Sequence, residues 1–254
     1  MKIKYSILIA IVAAAAIFLY LNRSYAYIYD RLKIINLTSP AMSPTYLVKS
    51  PSQNPDLKSI KYAALGDSLT AGVGTGDFQE TLPYLIAAQL AKKNDVSLAN
   101  LGMPGAKTED VINYQINQAI ALAPDYITLF IGINDIHGLV SAKSFETNLQ
   151  KIINRLASET KAKIIIINVP YLGAANLILP PWNFYFNQKT KHFNEIIKKL
   201  SSEKSLCYID LYQPTKNQLQ NDQKFYSPDL FHPSAYGYQL WSAIIYANSD
   251  CFSN

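Results

Sequence analysis

The residue of this chain best suited to chemistry is Ser68, in the stretch ALGDSLTAGVG over residues 64–74. A serine just past an apolar strand is a good helix N-cap, because its hydroxyl can accept a hydrogen bond from a backbone N–H of the first turn. It can also be a nucleophile, but a serine hydroxyl is weakly reactive at neutral pH and needs an adjacent base. Partners elsewhere in the chain must decide between the two interpretations.

One histidine has an aspartate at a spacing that suits this task. Asp229 and His232 lie three residues apart in SPDLFHPSAYGY, residues 227–238. This spacing lets a carboxylate and an imidazole meet on one turn, so that Asp229 can orient the ring and stabilise its protonated form. The alternative for Asp229 is turn formation around Ser227-Pro228.

The other two histidines fit a catalytic role less well. His192 lies in a lysine-rich helix, which favours a solvated surface position. His137 follows Asn134 by three residues, and a packing role is favoured over a role at the rim of a substrate site.

An acyl-transfer site also needs donors for the oxygen of a tetrahedral intermediate. Asn134, in G-x-N-D at residues 132–135, follows an apolar strand and can offer its side-chain amide, and the backbone N–H of Ser68 can add another donor. Asp67 and Asp135 flank these residues and are interpreted as turn formers that accept hydrogen bonds from backbone amides.

Alternating strand and helix patterns must position these residues. Apolar, β-branched runs predict five strands, and amphipathic patterns predict the helices between them. The strands are 62–66, 95–102, 125–132, 162–169 and 205–212; the helices are 80–93, 108–123, 141–159, 185–203 and 234–247. This order predicts an α/β fold, a three-layer α/β/α sandwich around a five-stranded parallel sheet. The candidate residues follow strands, where the sites of such sheets lie.

The motifs GDSL (66–69), NLGMPGAKT (100–108), G-x-N-D and D-x-x-H (229–232) occur in the order typical of the SGNH, or GDSL, hydrolase superfamily. The chain resembles that superfamily over about residues 61–247. The resemblance implies the flavodoxin-like SGNH fold and a serine esterase with catalytic residues Ser68, His232 and Asp229. It also places one oxyanion donor in NLGMPGAKT, beside Ser68 and Asn134.

For that donor Gly105 is preferred over Gly102, because it lies in a Pro-Gly turn that leads into a helix, where backbone N–H groups point outward. The resemblance implies an acyl ester substrate, such as a lipid ester or an O-acetylated saccharide, and no cofactor. An acyltransferase and a non-catalytic binding module on the same fold remain as alternatives. The aromatic stretch 171–186 is either an acyl-binding wall or lid, or an ordinary packed connection.

Charge and motif content argue against other classes. The net charge is +5, but residues 1–61 carry eight Lys or Arg against two Asp, which leaves the remainder with 15 basic and 16 acidic residues. The basic excess therefore lies near the N-terminus and favours a membrane surface over a nucleic acid. The sequence has neither G-x-S-x-G nor H-E-x-x-H, so an α/β-hydrolase elbow and a metal hydrolase are not expected.

The N-terminal region predicts a membrane segment. Two lysines precede an apolar run from Tyr5 to Leu21, which is long for a signal peptide and short for a membrane span. A signal-anchor with the domain outside the cytoplasm is favoured; a cleaved signal, which gives a secreted protein, and a buried helix are alternatives. The predicted organisation is an anchor over 1–29, a proline-containing linker over 30–60 and a hydrolase domain over 61–254. Cys207 and Cys251 are equally compatible with a disulfide and with free thiols.

Overall fold

The computed structural model describes residues 2–38, 45–52, 57–171, 175, 177–218, 223–247 and 249–252. A mixed sheet of six strands forms its centre, in the order β1-β3-β2-β4-β5-β6. The strands are β1 Thr45–Val48, β2 Ser59–Gly66, β3 Asp95–Asn100, β4 Tyr126–Phe130, β5 Lys163–Ile167 and β6 Cys207–Ile209. Strands β2 to β6 are parallel, and β1 pairs with β3 in the antiparallel direction.

Helices cover both faces of the sheet. They are α1 Lys2–Thr38, α2 Ser68–Ala71, α3 Leu82–Leu90, α4 Thr108–Asp110, α5 Ile116–Ala121, α6 Ile133–His137, α7 Ala142–Glu159, α8 Trp182–Glu203, α9 Tyr212–Gln218 and α10 Ala235–Ala247. A π-helical turn, Val111–Gln115, joins α4 to α5. Helices α3 and α10 pack on each other, and α7 packs on α5 and α8. All five residues of β4 are buried, as expected for a parallel strand covered on both faces.

The register of the central strands brings their carboxyl ends to one edge. Gly66, the last residue of β2, pairs with Phe130, the last residue of β4, and Ile167, the last residue of β5, pairs with Phe130 on its other side. The segments that leave these strands therefore begin side by side. The fold class is the predicted one, and the five predicted strands form the parallel part of the sheet.

Strand β1, which is additional to the five predicted strands, corrects the prediction for residues 30–60, where no regular structure was expected. Helix α1 continues to Thr38, and β1 lies at the sheet edge. Two hydrogen bonds to the Asp95 carboxylate follow β1 directly, from Lys49 Nζ and from the backbone N–H of Ser50, each 2.9 Å long. Long-range pairing with β3 thus stabilises a four-residue strand that is too short to show a pattern of its own.

Helix α1 is the candidate membrane segment. Residues Tyr5–Ile35 are long and apolar enough to cross a membrane, and the most apolar part is unburied. At the other end of the chain, Cys207 and Cys251 form a disulfide that joins β6 to the last turn, Ser249–Phe252.

Candidate active site

Ser68 is the first residue of the short helix α2, directly after β2. The N-cap of this helix is Asp67, whose side chain accepts a hydrogen bond from the Leu69 N–H at 3.0 Å. The capping role considered for Ser68 is therefore wrong, because the preceding aspartate fills it. Ser68 itself is buried, and its hydroxyl lies 2.8 Å from His232 Nε2.

His232 links Ser68 to a carboxylate. Its Nδ1 atom lies 2.8 Å from Oδ2 of Asp229, while the other carboxylate oxygen of Asp229 accepts hydrogen bonds from the N–H groups of Phe231 and His232, both at 2.8 Å. The backbone closes this turn with a hydrogen bond from the Ser227 N–H to the His232 carbonyl. The structure thus brings Ser68, His232 and Asp229 into one hydrogen-bonded chain.

The electrostatics of this turn keep Asp229 ionised. Burial by itself raises the pKa of the Asp229 carboxyl, but the hydrogen bond and charge of His232 and two backbone N–H groups outweigh it and hold the pKa at about 2. At working pH the Asp229 carboxylate therefore stays deprotonated and accepts hydrogen bonds without taking the proton of His232. It favours the tautomer of His232 that carries its proton on Nδ1 and leaves Nε2 free to accept one from Ser68.

Gly105 and Asn134 lie beside each other on the segments that follow β3 and β4. Asn134 Nδ2 donates to the Ala106 carbonyl at 3.1 Å, and because an amide nitrogen carries two hydrogens, a second one remains for another acceptor. Gly105 adopts a left-handed φ of 82°, which a residue with a side chain rarely takes. Both residues line a cavity of about 410 Å³.

Gly102 has a different reason to be glycine. A Cβ atom there would clash with the backbone N of Ala71 and lie 2.8 Å from the carbonyl carbon of Thr70, both in α2. The motif NLGMPGAKT therefore packs directly against α2, the helix that begins with Ser68. Asn100 reinforces this contact by donating from Nδ2 to the Thr70 carbonyl at 3.0 Å.

The two buried aspartates differ in role: Asp67 accepts a hydrogen bond within its own turn, as expected of a turn former, whereas Asp135 joins α6 to the start of α4, 27 positions earlier in the chain. Asp135 accepts from the N–H and hydroxyl of Thr108, at 3.0 and 2.6 Å. Burial raises the pKa of Asp135 to about 6, although these two hydrogen bonds lower it. Burial also raises the pKa of Asp67 to about 8; the Leu69 N–H lowers it, and the nearby charge of Asp135 raises it further.

His137 packs beneath this site. Its ring contacts those of Phe186 and Phe231, with centroids 5.1 and 5.3 Å away. Neither ring nitrogen has a hydrogen-bond partner within the described part of the chain. Burial, with smaller effects from the charges of His232 and Lys189, lowers the pKa of His137 to about 3, so the ring is neutral. These contacts favour the packing role, and His137 also forms part of the lining of the cavity beside Gly105 and Asn134. His192 lies exposed on α8.

The stretch 171–186 is described only in part, because residues 172–174 and 176 lie outside the described residues. Helix α8 begins at Trp182, three residues before the predicted start. Phe186 is buried beneath His137, whereas Phe184 and Tyr185 are 68% and 49% exposed. Its described contacts lie on several elements: Tyr171 packs on Tyr212 of α9, the Leu177 N–H donates to the Leu230 carbonyl at 3.3 Å, and Trp182 and Phe186 contact α1 and His137. Contacts spread over the domain in this way favour a packed connection.

Gln115 is a positioning residue that no motif revealed. It is buried, and its side chain donates to the Gly66 carbonyl at 2.7 Å and accepts from the Gly66 N–H at 2.9 Å. This pair of hydrogen bonds fixes the end of β2, two residues before Ser68. No cluster of three His, Cys, Asp or Glu side chains with metal-binding geometry occurs among the residues placed in the structure.

The chain is similar to known lipases, acylhydrolases and esterases. The GDSL-like Lipase/Acylhydrolase family matches residues 64–240. The spore germination lipase LipC of Bacillus licheniformis is 24% identical over 208 residues, 72% of this chain and 93% of LipC. A lipase/acylhydrolase structure from Enterococcus faecalis is 28% identical with a TM-score of 0.62, covering 73% of this chain and 93% of the other. An acetylxylan esterase structure from Geobacillus stearothermophilus is 19% identical with a TM-score of 0.59, covering 75% and 94%.

The α/β fold and these similarities define a carboxylic ester hydrolase. The chain belongs to the GDSL-like lipase/acylhydrolase family, whose match covers more than half of it.

Proposed function

We propose that this chain is a membrane-anchored serine esterase in which Ser68 is the nucleophile, His232 the general base and Asp229 the residue that orients it. The continuous hydrogen bonds from Ser68 Oγ through both ring nitrogens of His232 to Asp229 carry the proposal. Ser68 Oγ attacks the carbonyl carbon of an ester while His232 Nε2 takes its proton. The backbone N–H groups of Ser68 and Gly105 and the Asn134 amide stabilise the oxyanion.

Collapse of this intermediate breaks the bond to the leaving alcohol, which receives its proton from His232. The acyl group then remains on Ser68 Oγ. A water molecule then attacks the acyl carbon and gives a proton to His232, which forms a second tetrahedral intermediate. When this intermediate collapses, the acid is released and His232 returns the proton to Ser68 Oγ. The substrate class is an acyl ester, either a lipid ester or an O-acetylated saccharide.

The same proposal places the domain outside the cytoplasm. The apolar helix α1 supports an anchor, and the Cys207–Cys251 disulfide is typical of an oxidising compartment. The N-terminus then lies on the cytoplasmic side. The alternatives are secretion after removal of the N-terminal segment and, for the reaction, transfer of the acyl group to an acceptor other than water.

A fluorophosphonate probe tests the nucleophile. The full chain in detergent should be labelled, and Ser68→Ala should not be. The matched control is Ser201→Ala, which removes another buried serine whose hydroxyl donates to a backbone carbonyl, that of Ile197. Failure of the wild-type chain to react would favour a binding module. Product analysis with competing alcohol acceptors then separates a hydrolase from an acyltransferase.

A further inference from the structure

The cavity beside Gly105 and Asn134 has one wall made by the membrane helix. Its lining includes Tyr29, Leu32 and Lys33 of α1 as well as the two proposed oxyanion donors. A segment that the sequence assigns to anchor and linker thus borders the candidate active site.

The second half of α1 is docked on the domain through one of its faces. Ile28 and Leu32 are 1% and 6% exposed and belong to the main hydrophobic core. Ser24 precedes them at the same four-residue spacing and accepts a hydrogen bond from Trp182 Nε1 at 2.9 Å. Tyr25 Oη donates to the His137 carbonyl at 2.9 Å. These contacts fix the position of the helix relative to the cavity.

The first half of the helix has the opposite character. The side chains from Tyr5 to Tyr20 are exposed, and the run from Tyr5 to Leu21 is almost entirely apolar. A bilayer is the environment that such a surface requires. The membrane boundary therefore falls near Leu21, where the apolar run ends and the docked half begins.

This boundary lies close to the cavity. Tyr29 and Leu32 follow Leu21 by eight and eleven residues, which corresponds to about 12–17 Å along the helix axis. At the level of the boundary, Tyr20 Oη donates to the Pro180 carbonyl at 2.9 Å, and the neighbouring side chains of Leu179 and Phe184 are exposed. Exposed apolar and aromatic groups at this height suit the membrane interface.

We infer that Tyr29, Leu32 and Lys33 are specificity-determining residues that hold the alcohol part of an ester located at the bilayer surface. The inference rests on the proposed function, because it assigns the cavity beside Gly105 and Asn134 to the leaving group. The lining suits a polar head group better than an acyl chain, since it also includes charged side chains from the segment after β3. These are Lys107, Glu109 and Asp110.

The test compares substitutions on two sides of α1 in the full chain, reconstituted in vesicles of phosphatidylcholine and phosphatidylglycerol. Tyr29→Ala and Lys33→Glu alter the cavity wall. Tyr27→Ala and Arg31→Glu are matched controls: they lie two positions earlier, about 200° around the helix, and are exposed. Fatty-acid release from the vesicle lipids and hydrolysis of 4-nitrophenyl acetate are both measured.

We expect Tyr29→Ala and Lys33→Glu to lower kcat/KM for lipid at least 10-fold, and to change hydrolysis of the small soluble ester less than 2-fold. The two controls should change neither substrate by more than 2-fold. Unchanged fluorophosphonate labelling of Ser68 shows that each variant is folded with its nucleophile intact.

Three results would overturn the inference. The first is a ratio of kcat/KM for lipid to kcat/KM for the soluble ester that is the same in the wall variants as in the wild type. The second is an equal loss of lipid hydrolysis in the wall variants and in the controls. The third is a labelled wild-type chain that hydrolyses the soluble ester but no lipid. Each of them leaves Ser68 labelled, so the proposed function survives. Absence of labelling in the wild-type chain is different, since it refutes the proposed function itself.

Discussion

Replacing Asp229 by asparagine should separate the charge of this residue from its structural role. One carboxylate oxygen accepts the N–H groups of Phe231 and His232, and the other faces His232 Nδ1. The asparagine carbonyl can keep both backbone hydrogen bonds. Its NH₂ group, however, must then face Nδ1 as a donor, so that His232 carries its proton on Nε2.

That tautomer cannot accept the proton of Ser68. In a serine protease, the equivalent change lowers kcat by about 10⁴, which corresponds to about 5.5 kcal/mol of transition-state stabilisation. We expect a loss of this size for Asp229→Asn. Because the pKa of Asp229 is held at about 2, the wild-type carboxylate is ionised throughout the assay range, and the comparison is made at pH 8.

The assay is hydrolysis of a soluble ester by the purified chain, with urea unfolding measured in parallel. Asp77→Asn is the matched control, because the Asp77 side chain also accepts the N–H two residues ahead, that of Gln79, at 2.9 Å. It should keep full activity. Retention of more than a tenth of the activity by Asp229→Asn, with unfolding unchanged, would show that Asp229 does not orient the base.

Three further predictions concern the donor amide, a buried carboxyl and the disulfide. Asn134→Ala should lower kcat by about 10²–10³, measured on the same ester, since one oxyanion donor is lost; an equal loss in substrate affinity alone would contradict this role. Asp67→Asn keeps an acceptor for the Leu69 N–H but removes a group whose pKa rises from 3.8 unfolded to about 8 folded. Because the folded wild type binds this proton more tightly than the unfolded chain, its free energy of unfolding should fall as the pH rises from about 4 to about 8. The fall is at most about 1.4 kcal/mol per pH unit, and urea unfolding of Asp67→Asn should not show this pH dependence. Replacing Cys207 and Cys251 by serine removes a disulfide that closes a loop with a sequence separation of 44. The chain-entropy relation predicts that the free energy of unfolding falls by about 4 kcal/mol, and an unchanged urea midpoint would show that the bond contributes nothing.

The central sheet was predictable because its strands carry their signal locally. Strand β5, KIIII, is continuous and β-branched, and its isoleucines are buried between two helical layers. Helix α7 shows the same consistency, since Phe145 and Leu149 begin a stripe of apolar residues that the structure buries. By contrast, β1 has four residues and no pattern, and only its pairing with β3 defines it.

The candidate site divides in the same way. Ser68, Asp229 and His232 follow strands or sit on one turn, and the edge at which parallel strands end brings such residues together. Gln115 could not be predicted, because its side chain clamps the backbone of Gly66, 49 positions away, and no sequence pattern marks such a contact. Asp67, and not Ser68, caps α2, although both residue types are good caps and the sequence alone does not rank them here.

The role of α1 was hidden for a related reason. Ser24, Tyr25 and Ile28 continue an apolar helix, and side chains of these types suit a membrane interface as well as a protein surface. Complete burial of Ile28 and Leu32 contributes about 1.5–3 kcal/mol each, and a net hydrogen bond adds about 1 kcal/mol. Because the helix is covalently attached to the domain, this is enough to hold it against the cavity. A protease that removed the docked half would therefore leave Ser68, His232 and Asp229 in place but open the cavity on the side that α1 now covers.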